Sequence, residues 1–204
     1  MHDDQEKQLD ARRRAWLIAT SVVGGIGGVA TLVPFVGSME PSERARTGGA
    51  PVEVDIGALR PNERITVAWR GLPVWVVRRT PGQMTSLTQV AAQLADPDSR
   101  QFYQFETPGY CRNAFRARVE HKEVLVVVGI CTHLGCIPNG PFNPGTDPTL
   151  GAYAGFVCPC HGSTYDMAGR VFKNKPAPYN LDVPHHMYLS GTRIVIGKDE
   201  KGEA

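Results

Sequence analysis

The chain has 204 residues, enough for one globular domain plus an additional segment. A formal net charge of +2 gives no reason to expect nucleic acid or a strongly acidic partner. With 16 prolines and 22 glycines, the composition suits a loop-rich β protein better than a helical one, and the odd number of cysteines, five, needs its own account.

Residues 1–15 are polar and end in Arg12-Arg13-Arg14. Residues 16–36, WLIATSVVGGIGGVATLVPFV, carry no charge. As a helix, about 21 residues span roughly 31 Å, which crosses a bilayer core. Gly24, Gly25, Gly27 and Gly28 are poor in an isolated aqueous helix but common in spans that pack closely against a neighbour. Pro34, near the far end, is tolerable there. The arginines favour a cytoplasmic N-terminus and resemble a twin-arginine export signal, which moves proteins already folded. The apolar run is longer than the core of a cleavable signal, and no A-x-A site follows it. The expectation is a cytoplasmic segment at 1–15, a retained single-pass anchor at 16–37 in a bacterial inner membrane, and a periplasmic head. Residues 38–51 are mostly small, polar or charged and read as a flexible tether.

The head is expected over residues 52–200. Val52, Val54 and Ile56 alternate with Glu53 and Asp55, a period of two and so a strand. Ile65, Val67 and Trp69 repeat the pattern, and residues 72–77 make a third strand with Pro73 near its start. Ser86-Leu87-Thr88-Gln89 matches a helix capping box, with Leu87, Val90, Ala91 and Leu94 at helical spacing, so one short helix is expected before Pro97. Arg112, Arg116 and Arg118 read as a solvated face. Residues 124–130 are an apolar run and read as a buried strand leading straight into Cys131. Residues 138–155 read as a long surface loop, residues 156–157 and 171–172 as short strands, and residues 187–189 and 193–196 as a closing hairpin. His185 and His186 read as surface or structural residues.

Four of the five cysteines fall in two motifs, CTHLGC at 131–136 and CPCHGS at 158–163. Cys111 is left over and reads as a buried structural thiol. Each motif offers a Cys and a His, two apart at Cys131 and His133 and three apart at Cys158 and His161. Two Cys and two His suit a tetrahedral zinc site or an asymmetrically held two-iron cluster. Zinc modules usually pair like ligands at C-x2-C or H-x3-5-H spacing, whereas here each loop supplies one soft and one borderline donor, which argues for iron.

These two motifs resemble the cluster-binding boxes of the Rieske iron–sulfur proteins of cytochrome bc complexes, the ubiquinol–cytochrome c reductases. The resemblance runs from the N-terminal anchor to the last strand. It implies an all-β, Rieske-type antiparallel β-sandwich head with a cluster-binding subdomain at about 125–180. It implies one [2Fe–2S] cluster, with Cys131 and Cys158 on one iron and His133 and His161 on the other. It further implies a disulfide between Cys136 and Cys160, which needs an oxidising compartment. Ser163 and Tyr165 match hydroxyls that bond a bridging sulfide and the Cys131 sulfur. Residues 175–178, with Pro176 and Pro178, resemble a proline loop covering the cluster, except that Lys175 stands where Gly is usual.

The function so implied is transfer of an electron and linked proton from ubiquinol, with the electron passed on to a cytochrome c subunit and a contribution to proton translocation. His161, and with it His133, would meet the quinol, and Leu134 would sit at the apolar tip that docks on cytochrome b. The implied assembly is a dimeric complex with cytochrome b and cytochrome c subunits. Three other readings stand beside this one. The small subunit of an arsenite-oxidase-like enzyme is another exported use of such a domain. A ferredoxin or ring-hydroxylating oxygenase component would lack the disulfide cysteines and need no anchor. A structural zinc module would bind zinc without sulfide.

Overall fold

The computed structural model describes residues 2–40 and 49–202, with side chains of the first stretch described from Asp10 onward. Most of the expected tether, residues 41–48, lies outside the described residues. The chain divides into two compact units, Met1–Arg46 and Thr47–Ala204.

The first unit is one continuous helix, α1 (His2–Gly37). It takes in nearly all of the polar segment as well as the apolar run, as its Glu, Gln, Lys, Arg and Leu residues favour. Its stretch Asp10–Gly37 is long and apolar enough to cross a membrane by length and composition. Its large side chains, among them Trp16, Val23 and Ile26, are exposed. Its threonines are satisfied internally: Thr20 Oγ1 donates to Trp16 O at 2.9 Å and Thr31 Oγ1 to Gly28 O at 2.8 Å. Neither hydroxyl therefore needs water.

The second unit holds three antiparallel three-stranded sheets. Its strands are β1 (Val52–Asp55), β2 (Arg64–Trp69), β3 (Leu72–Arg78), β4 (Val124–Val128), β5 (Asn139–Phe142), β6 (Gly155–Val157), β7 (Thr164–Asp166), β8 (His186–Ser190) and β9 (Arg193–Ile196), with a short helix α2 (Pro81–Gln89) after β3. The sheet orders are β1-β9-β8, β2-β3-β4 and β5-β6-β7. The middle sheet separates two cores. Val74, Val76, Val126 and Val128 pack with Ile194 and Ile196 on one side. Trp75, Val77, Leu125 and Val127 pack with Phe156 and Tyr165 on the other. Alternation with a period of two thus makes β3 and β4 apolar on both faces. The second core is the one that contains Cys131 and Cys158.

Several local expectations need correction. The helix runs from Pro81 to Gln89 and not from Ser86. Thr80 caps it: Gln83 N donates to Thr80 Oγ1 at 3.2 Å and Thr80 N donates to Gln83 Oε1 at 2.9 Å. Pro81 suits the first helical position, where no N–H is needed. Ser86 is buried instead, accepting from Ala154 N at 3.0 Å. The expected surface loop at 138–155 contains β5. Val171 and Phe172 make isolated bridges to Tyr165 and Leu94, not a strand. Of the three arginines expected on a solvated face, only Arg112 is exposed; Arg116 is 1% exposed and Arg118 half-buried.

Candidate metal centre

Two loops with the same internal hydrogen bonding carry the motifs. In the first, Cys131 N donates to Cys136 O at 2.7 Å and Gly135 N donates back to Cys131 O at 3.0 Å. In the second, Cys158 N donates to Ser163 O at 2.8 Å and Gly162 N to Cys158 O at 3.1 Å. Gly135 and Gly162 hold equivalent places at φ +82° and +72°, a region that costs a side chain-bearing residue energy. β4 delivers the first loop and β6 the second. Gly129, just past β4, lies so close to the Trp75 indole that a Cβ would fall 2.1 Å from Cε2, so the approach to Cys131 is fixed by packing.

Cys136 and Cys160 form a disulfide across the two loops, with Cα atoms 6.6 Å apart. Their sulfurs and that of Cys158 lie within 4.8 Å of one another, but two of the three are consumed in the bond, so this trio is not a metal site by itself. The thiols left near it, Cys131 and Cys158, are both buried. Burial raises the Cys158 thiol above its ordinary range, and the neighbouring Cys131 sulfur raises it further.

The imidazoles lie nearer the surface. His161 is exposed and His133 half-buried. Their rings meet edge to face with centroids 4.8 Å apart. His133 Nδ1 is buried with no hydrogen-bond partner. An orphaned buried ring nitrogen is costly in an ordinary imidazole. With two buried thiols carried by the same pair of loops, it fits a donor set made for a metal centre of mixed sulfur and nitrogen ligation.

The surrounding hydroxyls are ordered. Tyr165 is fully buried, and its Oη donates to Cys131 Sγ at 3.2 Å. Burial, and then the bond to Cys131, hold its phenol protonated well above the ordinary range. Ser163 Oγ accepts from Ala177 N at 3.0 Å, which leaves its own proton free to donate. That bond ties the second loop to residues 175–178, where Ala177 is buried, Pro176 and Pro178 are exposed and Lys175 is half-buried. Leu134 is 70% exposed at the tip of the first loop. Sequence reasoning missed Ile137, also exposed there, and Thr132. Thr132 N donates to Tyr165 Oη at 3.1 Å, and Thr132 Oγ1 donates to Tyr179 O at 2.7 Å. Its place inside the first motif was the available signal. Cys111, as expected, is a buried thiol, pushed up to about 12 by burial.

Residues 56–186 match the Rieske [2Fe-2S] domain. Residues 1–42 match the ubiquitinol-cytochrome C reductase Fe-S subunit TAT signal. The ubiquinol-cytochrome c reductase iron-sulfur subunit of Allochromatium vinosum is 51% identical over 193 residues, covering 92% of this chain and 89% of the relative. That of Bradyrhizobium diazoefficiens is 40% identical over 187 residues, covering 91% and 94%. A solved chain of a hyperthermophilic respiratory Complex III is 27% identical with a TM-score of 0.43, covering 87% of this chain and 97% of the other.

Proposed function

Since the chain belongs to the family of Rieske [2Fe–2S] iron–sulfur subunits of ubiquinol–cytochrome c reductase, we propose that it takes an electron and linked proton from ubiquinol and passes the electron to a cytochrome c subunit. It is one component of an oxidoreductase that contributes to proton translocation, and not a complete enzyme. Cys131 and Cys158 would hold one iron of the cluster, and His133 and His161 the other. When bound, the cluster supplies a one-electron acceptor of raised potential, because two neutral imidazoles replace two anionic thiolates.

The chain's own residues do the rest. His161, the more exposed imidazole, meets the quinol hydroxyl and takes its proton, with His133 beside it. Leu134, with its apolar surface outward, enters the quinol pocket on cytochrome b. Tyr165 donates to the Cys131 sulfur, and Ser163 has a proton free for a sulfide. Pro176 and Pro178 exclude water over the sulfur side without adding N–H groups that need partners. The Cys136–Cys160 bond holds the two loops together. Residues 16–37 anchor the chain in the bacterial inner membrane with residues 1–15 in the cytoplasm. Residues 52–200 form the periplasmic head and residues 38–51 the tether on which it moves between partners. The assembled complex is a dimer.

The observation that carries this reading is the division of the donor set: buried sulfurs beneath, imidazoles at the surface. Such a site meets an outside partner through nitrogen alone. The test is electron paramagnetic resonance on membranes containing the chain, with ascorbate and then dithionite. A [2Fe–2S] signal already present with ascorbate supports quinol oxidation. A signal only with dithionite would move the chain to low-potential electron transfer. Zinc without inorganic sulfide in metal analysis would sink the cluster assignment.

A further inference from the structure

Behind the Tyr165 strand lies a group of buried cations that the proposed function does not use. β7 is three residues long and ends in a tight turn at residues 166–170. Gly169 N donates to Asp166 O at 2.9 Å, and Asp166 N to Arg170 O at 2.9 Å. Asp166 Oδ1 accepts from Ala168 N and Arg170 N, and Asp166 Oδ2 takes Arg170 Nε at 2.8 Å. Of the remaining carbonyls of the turn, Gly169 O accepts from Leu181 N at 2.8 Å, and those of Met167 and Ala168 are taken up by arginines from two distant segments. Arg79 Nη1 donates to Met167 O at 3.1 Å. Arg116 Nη1 donates to Ala168 O at 3.0 Å and Arg116 Nη2 to Thr107 Oγ1 at 3.3 Å. Arg79 also holds Phe115 O at 2.8 Å, so it braces the segment that carries Arg116.

Arg79, Arg116 and Arg170 are 3%, 1% and 2% exposed. Neutral donors could satisfy the same carbonyls with far less desolvation. Arg116 also carries a backbone φ of +46°, an unfavourable conformation for a bulky non-glycine residue. Two costs are therefore carried to fix one turn rigidly. A planar fork with several donors fixes a backbone more tightly than a single amide or ammonium. What the turn adjoins is Tyr165, one residue before it. β7 has only three ladder pairs along β6, where Tyr165 opposes Phe156, and one bridge from Tyr165 to Val171 on its other side. The turn at 166–170 is the next element in sequence able to fix its end.

We propose that Arg79 and Arg116 are positioning residues for Tyr165: by clamping the turn at 166–170 they hold its phenol in bonding distance of the Cys131 sulfur and so keep the cluster potential high. The inference rests on the proposed cluster assignment. The lysine variants Arg79→Lys and Arg116→Lys keep the charge and lose the fork, so they separate positioning from long-range electrostatics. Each is compared, in the assembled complex in membranes, with and without Tyr165→Phe. Redox titration followed by electron paramagnetic resonance reads the midpoint potential, and hydrogen exchange reads the amides of residues 164–170. The expected result is a lower potential for each lysine variant, no further lowering once Tyr165 is Phe, and faster exchange confined to the turn and β7. An equal shift in the Tyr165→Phe background, or no shift in either, overturns the proposal. The exchange readout needs no cluster, so a variant that loses its signal still decides: amides exchanging as in the parent overturn it too. A parent chain without any iron–sulfur signal would instead sink the proposed function.

Discussion

Tyr165 Oη stands 3.2 Å from Cys131 Sγ and is the only side-chain hydroxyl among the described residues recorded as donating to that sulfur. A hydrogen bond to sulfur stabilises the added electron's charge and raises the potential. A bond to a charged acceptor contributes about 1.5–3 kcal/mol. For one electron, roughly 1.4 kcal/mol corresponds to 59 mV. Tyr165→Phe therefore keeps the cluster and, in a redox titration, lowers its midpoint potential by tens of millivolts, at most roughly 130 mV, since part of the bond's strength is already present before the electron arrives. An unchanged potential would remove the bond from the account.

The disulfide joins loops that no shared strand holds together at their tips. It closes a separation of 24 residues. Removing a cross-link over such a loop costs on the order of 3 kcal/mol in the chain-entropy picture. Cys136→Ser with Cys160→Ser is expected to lower the thermal midpoint and to speed loss of iron on dilution, measured by visible absorbance. Retention of iron at the parent rate would show that packing alone secures the loops.

Gly155 and Tyr165 meet across β6 and β7 with no space for a side chain. A Cβ on Gly155 would fall 1.9 Å from Tyr165 O, a backbone atom that cannot rotate away. Gly155→Ala must push the two strands apart. Overpacking of this kind costs about 1–3 kcal/mol and sometimes more. The expected outcome is a lower denaturant midpoint together with a lower cluster potential, since the strand that shifts carries Tyr165. Equal stability of the two proteins would contradict the packing.

The motifs were legible because ligand chemistry is written locally: two donors per loop, a Gly that permits the turn, a second Cys for the staple. The long apolar runs were legible for a similar reason, since burial of both faces of β4 needs only its own residues. Arg116 was not. Its burial depends on carbonyls of Ala168 and Gly169, some fifty residues on, and nothing near it in sequence announces them. The helix start was misread because Thr80-x-x-Gln83 and Ser86-x-x-Gln89 satisfy the same rule. Tertiary packing decided between them by drawing Ser86 onto the Ala154 amide. β7 and β5 were missed because three or four residues show no periodicity, and their pairing is set by neighbours.

His186 supplies a pH dependence away from the metal centre. It is 1% exposed, with Nδ1 2.9 Å from Pro184 O. Burial, with the Arg118 guanidinium adding to it, pushes its pKa down to about 4 from an ordinary 6.5. The folded form thus resists the proton that the unfolded chain accepts. Stability from this group is complete above about pH 6.5 and is lost as pH falls toward 4, by roughly 3 kcal/mol in all. Asp182, raised by burial, works in the opposite sense and offsets part of the loss. Denaturant titrations of the full chain in detergent, read by the buried Trp69 and Trp75, are expected to show a smaller drop between pH 7 and pH 4.5 for His186→Gln than for the parent. If both drop equally, the acid sensitivity belongs to other groups.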